Sequence, residues 1–375
     1  MKGVKIDFLQ LLMIFVMSTG LINHVILIPI LLESSGRDSW ITSIIATLFA
    51  LLWCFLPSFI IKKMDGKHVR DWLKDSIGSL FAYLLIGLLV AFLFIHFFAT
   101  LFDLIYWTKA SYLPNTPVYA LAIPILVFCA LNAMHGIRSV GRMCSLLLPF
   151  VILFGIFVAT TNIPRKDYTL LKPILEHGIH PILDGMIYAS TGFLELFLVV
   201  LLHHRVSSSF SWKKFALLVL LLLGLTLGPL TGAIIEFGPA EAARLRYPAF
   251  EEWRLVRIGD YIEHLDFLSI YQWIAGAYIR MSLLIYLITE MFIPEDPQHQ
   301  KQRTWMLFSL IAVSLLVFTL PISDMVFIDW QKKFILPVTC LGMLFFSFLF
   351  AILALLRKKE EGKEDVSSPK TRQIV

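Results

Sequence analysis

Apolar residues fall in long blocks along this chain, separated by short charged connections. An α-helix rises about 1.5 Å per residue, so roughly 20 apolar residues cross the ~30 Å hydrocarbon core of a bilayer. Ten such blocks are legible: 8–32, 40–61, 79–107, 118–134, 145–163, 184–203, 214–236, 269–290, 304–320 and 334–355. The fourth is short and carries Pro124. The pattern predicts an all-α integral membrane protein, with one polytopic domain over 1–357 and a charged, disordered cytoplasmic tail over 358–375. The first block is too long for a cleavable signal peptide and lacks a small-residue cleavage site.

Two connections carry helical periodicity of their own. Val69, Trp72, Leu73, Ile77 and Leu80 predict a short interfacial helix over 68–78. Leu255, Ile258, Ile262 and Leu265 recur at intervals of three and four, which predicts an amphipathic helix roofing the external side, entered after Tyr247-Pro248.

Composition agrees: 58% of residues are hydrophobic and 16% charged, too apolar for a soluble domain. Lys and Arg concentrate in alternate connections, around 62–74, 138–142, 205–214 and 301–303, and at both chain ends. By the positive-inside rule both termini are expected in the cytoplasm. That placement accounts for the net charge of +5 without a nucleic-acid partner. Cys54, Cys129, Cys144 and Cys340 lie in or beside spans with no CxxC pair and read as buried apolar thiols. There is no Gly-rich phosphate loop, GxSxG or HExxH, so no enzyme, metal or cofactor is expected. His203-His204 superficially suggests a metal pair, but adjacent helical positions point about 100° apart, and an interfacial role is expected.

The tripeptide Ser-Thr-Gly occurs twice, at Ser18–Gly20 and Ser190–Gly192, each followed three positions later by a polar residue, Asn23 or Glu195. Ten spans with both ends on one side divide five plus five, and an odd-numbered half must be inverted relative to its partner. The tripeptides then occupy the first span of each half. Helix breaks at such matched points expose backbone groups that need a polar cavity or a ligand.

The external segment Gly238-Pro239-Ala240-Glu241-Ala242, with Tyr247-Pro248, Glu251, Arg254-Leu255, Ile258-Gly259, the run Tyr261–Asp266 and Trp273, resembles the endospore germination permeases. These are the membrane B subunits of spore germinant receptors, in the amino acid–polyamine–organocation transporter superfamily. The resemblance spans the whole chain. It implies a LeuT-like five-plus-five inverted repeat with broken helices 1 and 6, and a ligand between spans 1, 3, 6 and 8. It also implies receptor A and C subunits as partners, a small germinant such as an amino acid, and the spore inner membrane or cell membrane of an endospore former. One departure stands out: Gly20 is followed by Leu21, Ile22, Asn23 and His24 before Pro29, rather than by a more glycine-rich break.

The candidate ligand residues are Ser18, Thr19, Gly20, Asn23 and His24 in span 1, and Tyr188, Ser190, Thr191, Gly192 and Glu195 in span 6. In span 3, His96 and Asp103 are seven apart and share a helix face. Arg280 is the one Lys or Arg in the interior of a span, Lys214 standing at a span's first position, and is suited to pairing with a buried carboxylate or holding a ligand carboxylate. A germinant-sensing receptor subunit, a proton- or sodium-coupled amino-acid transporter and a non-binding scaffold all remain open at this stage.

Overall fold

The computed structural model describes residues 5–356 except 209, 260 and 321; the tail predicted over 358–375 lies outside them. Every predicted span is helical. The first comprises α1 (Phe8–Leu21), a π-turn (Ile22–Ile26) and α2 (Leu27–Ser35); the second, α3 (Ser39–Trp53) and α4 (Phe55–Met64). After α5 (Val69–Ile77) come α6 (Ser79–Ser111), α7 (Val118–Met134) and α8 (Ile137–Thr161). The sixth span is α9 (His180–Leu194), a 3-10 turn (Glu195–Phe197) and α10 (Leu198–Leu202). Then follow α11 (Trp212–Phe237), α12 (Pro239–Ala242), α13 (Pro248–Arg254), α14 (Phe267–Phe292), α15 (Gln300–Val317), α16 (Asp324–Trp330) and α17 (Leu336–Leu356).

Among the described residues, seven helical runs are long and apolar enough to cross a membrane, the first being a 57-residue run over Phe8–Met64. At ~1.5 Å per residue that run far exceeds one crossing, and it turns back at the 3-10 segment Gly36–Asp38. α7 and α15 are the less apolar or shorter helices over the fourth and ninth predicted spans.

The sixth and eighth spans form the centre, with 83% and 89% of their apolar windows buried, whereas α8 at 17% faces outward. α14 packs on α6, α1, α8 and α7; α9 packs on α3, α2 and α17. Moving five spans along the chain exchanges spans 1 and 6, 2 and 7, and 5 and 10. The pairs α1 with α11 and α1 with α8 then become α9 with α3 and α9 with α17, and all four pairs are in contact.

Connections gather on two faces. On one, Ile6 bridges Val206, Arg138 donates to the Lys5 carbonyl, and Arg70 donates to the Phe292 carbonyl. There Gly136, at φ +83°, admits Glu295 so closely that a Cβ would lie 2.2 Å from its Oε1. On the other, Leu175 N–H donates to Asp38 Oδ1, Asp167 N–H to the Ile235 carbonyl, and Tyr112 hydroxyl to the Asp266 carbonyl.

α5 matches the predicted short helix. The helix expected after Tyr247-Pro248 begins there but stops at Arg254, so its predicted course over 255–265 does not form. The helix is α13, earlier in the chain, and Ile258 and Ile262 instead pair as an antiparallel bridge across Gly259 at φ +61°. The Arg257–Glu263 ion pair (3.4 Å) closes this turn, so the apolar three-and-four spacing reflects a hairpin-like loop. All four cysteines are buried and free.

Candidate functional site

The first and sixth spans depart from α geometry just after the Ser-Thr-Gly tripeptides, not at them. Ser18–Gly20 and Ser190–Gly192 are regular helix; the π-turn takes Asn23 and His24, and the 3-10 turn begins at Glu195. Pro29 has no N–H to give the Val25 carbonyl, so the hydrogen-bond ladder loses a donor beside the π-turn. The same placement recurs at the π-turn Gln331–Ile335, ahead of Pro337.

These turns bring polar side chains to one buried centre. Arg280, on α14, donates from Nη2 to Glu195 Oε1 (2.6 Å) and from Nη1 to Oε2 (2.9 Å), a bidentate pair with both side chains 1% exposed. Its Nε donates to Thr100 Oγ1 on α6 (2.9 Å), and Nη1 also reaches the Ser18 carbonyl on α1 (3.4 Å). Nη2 meets His96 Nδ1 at 3.4 Å, and His96 Nε2 meets Thr339 Oγ1 on α17 at 3.0 Å. The Thr339 hydroxyl donates to the Ile335 carbonyl, so it accepts from His96 Nε2–H and leaves Nδ1 as a lone pair toward Arg280. A neutral His96 satisfies both contacts. All five guanidinium N–H groups are then used, and the Glu195–Arg280 pair carries no net charge.

One turn along the first span, Asn23 Nδ2 donates to Thr226 Oγ1 on α11 (3.1 Å). Its Oδ1 lies over Gly192, where an added Cβ would be 1.9 Å away. Glycine is required there by that close approach. The oxygens Ser18 Oγ, Thr19 Oγ1 and Asn23 Oδ1 are buried with no hydrogen-bond partner among the described residues. Buried polar groups are nearly always satisfied in native proteins, so these oxygens are open to a ligand or water.

The remaining candidates divide. Thr191 Oγ1 donates to the Ile187 and Leu336 carbonyls, tying α9 to α17. Gly20 faces Leu225, and His24 Nδ1 donates to the Leu225 carbonyl (3.1 Å), so both serve packing on α11. Ser190 is buried and Tyr188 half-buried on α9. Asp103 is not at this centre. It sits on the opposite face, where Arg246 bridges it (3.2 Å) and Asp324 (3.5 Å), and Tyr247 hydroxyl approaches it at 3.4 Å.

Sequence reasoning missed a second buried network, near the N-terminal face. Glu290 accepts from Arg205 and Arg303 (2.9 Å), and His204 Nε2 is 3.6 Å away. His68, His204 and Glu290 each offer a ligand-type atom, all within 4.8 Å of one another. His68 Nδ1 accepts the Arg70 N–H, which leaves the proton on Nε2 in the neutral ring, and the two arginines occupy Glu290. With both arginines on Glu290, the arrangement is a buried ion-pair lock.

Comparison with known proteins follows the same direction. Residues 5–326 match the family described as "Spore germination protein". The chain belongs to the spore germination permease family. The permease is 40% identical to "Spore germination protein XB" of Bacillus anthracis over 95% of this chain and 99% of that one. It is 27% identical to "Putative spore germination protein YfkT" of Bacillus subtilis over 69% of this chain and 72% of that one. It is 22% identical to "Spore germination protein KB" of Bacillus subtilis, over 67% and 69%.

Proposed function

We propose that this permease is the membrane subunit of a spore germinant receptor, with both termini cytoplasmic, acting with A- and C-type partner subunits. It binds a small nutrient, an amino acid by preference, between spans 1, 3, 6 and 8. The observation that carries the reading is the saturated, net-neutral Glu195–Arg280–His96 centre flanked by the orphan oxygens of Ser18, Thr19 and Asn23. A neutral centre suits a zwitterion, which brings one donor and one acceptor group of opposite charge. The unpartnered oxygens accept its ammonium hydrogens, and their own hydroxyls donate to its carboxylate. Ligand binding then shifts the receptor between conformations by its differential affinity for them. The five-plus-five inverted arrangement is supported by the exchanged helix pairs, and the germinant role by the names of the relatives.

The pairing weighs against proton- or sodium-coupled transport through Glu195, since Arg280 occupies both carboxylate oxygens. Deletion of this chain should abolish the spore response to one nutrient class. Purified protein in liposomes should show no gradient-driven accumulation of that nutrient. A normal response to every nutrient in a strain lacking its paralogues too, or concentrative uptake, would contradict the proposal.

A further inference from the structure

On the N-terminal face, a half-open cleft of about 730 Å³ lies between the end of α4, the segment around Lys5 and the connection leading into α11. Its lining includes Lys5, Lys62, His203, Ser207 and Ser208, with Asp65 as the one carboxylate. The N-terminus of the 26-residue α11, from Ser211, completes the wall and adds its positive end. His203 is 7% exposed; its Nδ1 donates to the Val200 carbonyl (2.7 Å), so the neutral ring presents Nε2 as an acceptor, and Nε2 has no partner among the described residues.

The mouth of the cleft joins a lipid-facing surface. Trp212 stacks on Phe55 at 5.2 Å, and Trp212 Nε1 donates to the Leu51 carbonyl. Phe55 is 57% exposed, and the outward faces of α3 and α11, which pack together, continue from it through Leu48, Leu52, Leu220 and Leu221. Tryptophan at this depth and a basic recess at a helix end are the features that select a phospholipid headgroup.

We propose that this cleft binds an anionic phospholipid with a hydroxyl-bearing headgroup. Its phosphate lies between Lys5, Lys62 and the α11 N-terminus, a headgroup hydroxyl donates to His203 Nε2, and the acyl chains run along α3 and α11. His204 also lines the cleft while lying 3.6 Å from Glu290, so the bound lipid abuts the ion-pair lock.

The test uses purified full-length protein, stripped of lipid in detergent, with thermal melting and native mass spectrometry as readouts. Phosphatidylglycerol should raise the melting temperature and remain bound, whereas phosphatidylcholine should do neither. A lysine near the membrane surface contributes about fivefold in affinity, so Lys5→Gln with Lys62→Gln should weaken phosphatidylglycerol about thirtyfold. Both lysines are exposed, so the lipid-free variant should melt like the parent. His203→Phe should weaken phosphatidylglycerol more than phosphatidic acid, which lacks the headgroup hydroxyl. Equal stabilisation by phosphatidylcholine, or no effect of the double substitution, would overturn the proposal. A matching shift with inorganic phosphate or glycerol 3-phosphate would make the site one for a soluble anion and overturn the lipid assignment.

Discussion

Asn23 covers Gly192, joining the two Ser-Thr-Gly segments at a single contact: a Cβ at Gly192 would lie 1.9 Å from Asn23 Oδ1 and 2.7 Å from Cγ. Gly192→Ala must therefore displace Asn23 from its bond to Thr226. Overpacking of this kind costs roughly 1–3 kcal/mol. Lower accumulation in membranes and a weakened germinant response are expected. Asn23→Ala in the same chain removes the clash, so the double variant should accumulate more than Gly192→Ala alone while still responding poorly.

Glu195 and Arg280 are a buried pair whose partners are strongly interdependent. Removing one leaves the other charged and desolvated, at a cost of about 3–5 kcal/mol, whereas replacing both is far milder. Glu195→Gln and Arg280→Met singly should each reduce the amount of folded protein. Together they should restore accumulation without restoring response. Quantitative blotting of membranes alongside germination assays separates the two effects.

Much of this was legible in the sequence because membrane helices are specified by length and apolarity, which need no partner. The interfacial helix at Val69–Ile77 was equally plain from its spacing. The breaks were misplaced by two or three residues because Ser, Thr and Gly weaken a helix without fixing where its ladder changes register. Pro29 and Pro337 carried that signal. The helix predicted over 255–265 failed because Gly259 adopts positive φ and the segment pairs with itself. The Glu290 network was hidden since its members come from four separate connections or helix ends, and only packing brings them together.

Glu252, on α13, is buried beside Gly232, with its Oε1 unpartnered among the described residues. Asn162 donates to the Glu252 carbonyl (2.8 Å) and to Glu236 (3.1 Å), and Lys166 pairs with Glu236 at 3.6 Å. Burial first, and then the charge of Glu236, pushes the Glu252 carboxyl well above its ordinary 4.5. A carboxyl with a raised folded pKa binds its proton more tightly when folded, so stability should fall as pH rises above that ordinary value. The decline ends once pH passes the raised folded value. Glu252→Gln should flatten this part of the pH profile of melting temperature and leave the protein more stable at neutral pH. An unchanged slope would remove Glu252 from the account.

Glu290 holds Arg205 and Arg303 at the same time. Glu290→Gln removes the carboxylate that both guanidiniums share, leaving Arg303 with the Ile293 carbonyl and Arg205 with Glu295 at 3.9 Å. Arg303→Met leaves Glu290 still paired with Arg205. The first should lower the melting temperature more than the second, and a reversed order would contradict the lock.

The central claim is that a small zwitterion binds beside the Glu195–Arg280 centre through the orphan oxygens of span 1. Its most direct test is a thermal-shift and binding titration of the purified protein against a panel of amino acids, repeated on Asn23→Leu. Saturable stabilisation by one class, lost or redirected in Asn23→Leu while the substituted protein melts normally without ligand, is the predicted result. Binding that survives unchanged in Asn23→Leu would contradict the site, as would the absence of stabilisation by any amino acid under conditions where spores respond to one.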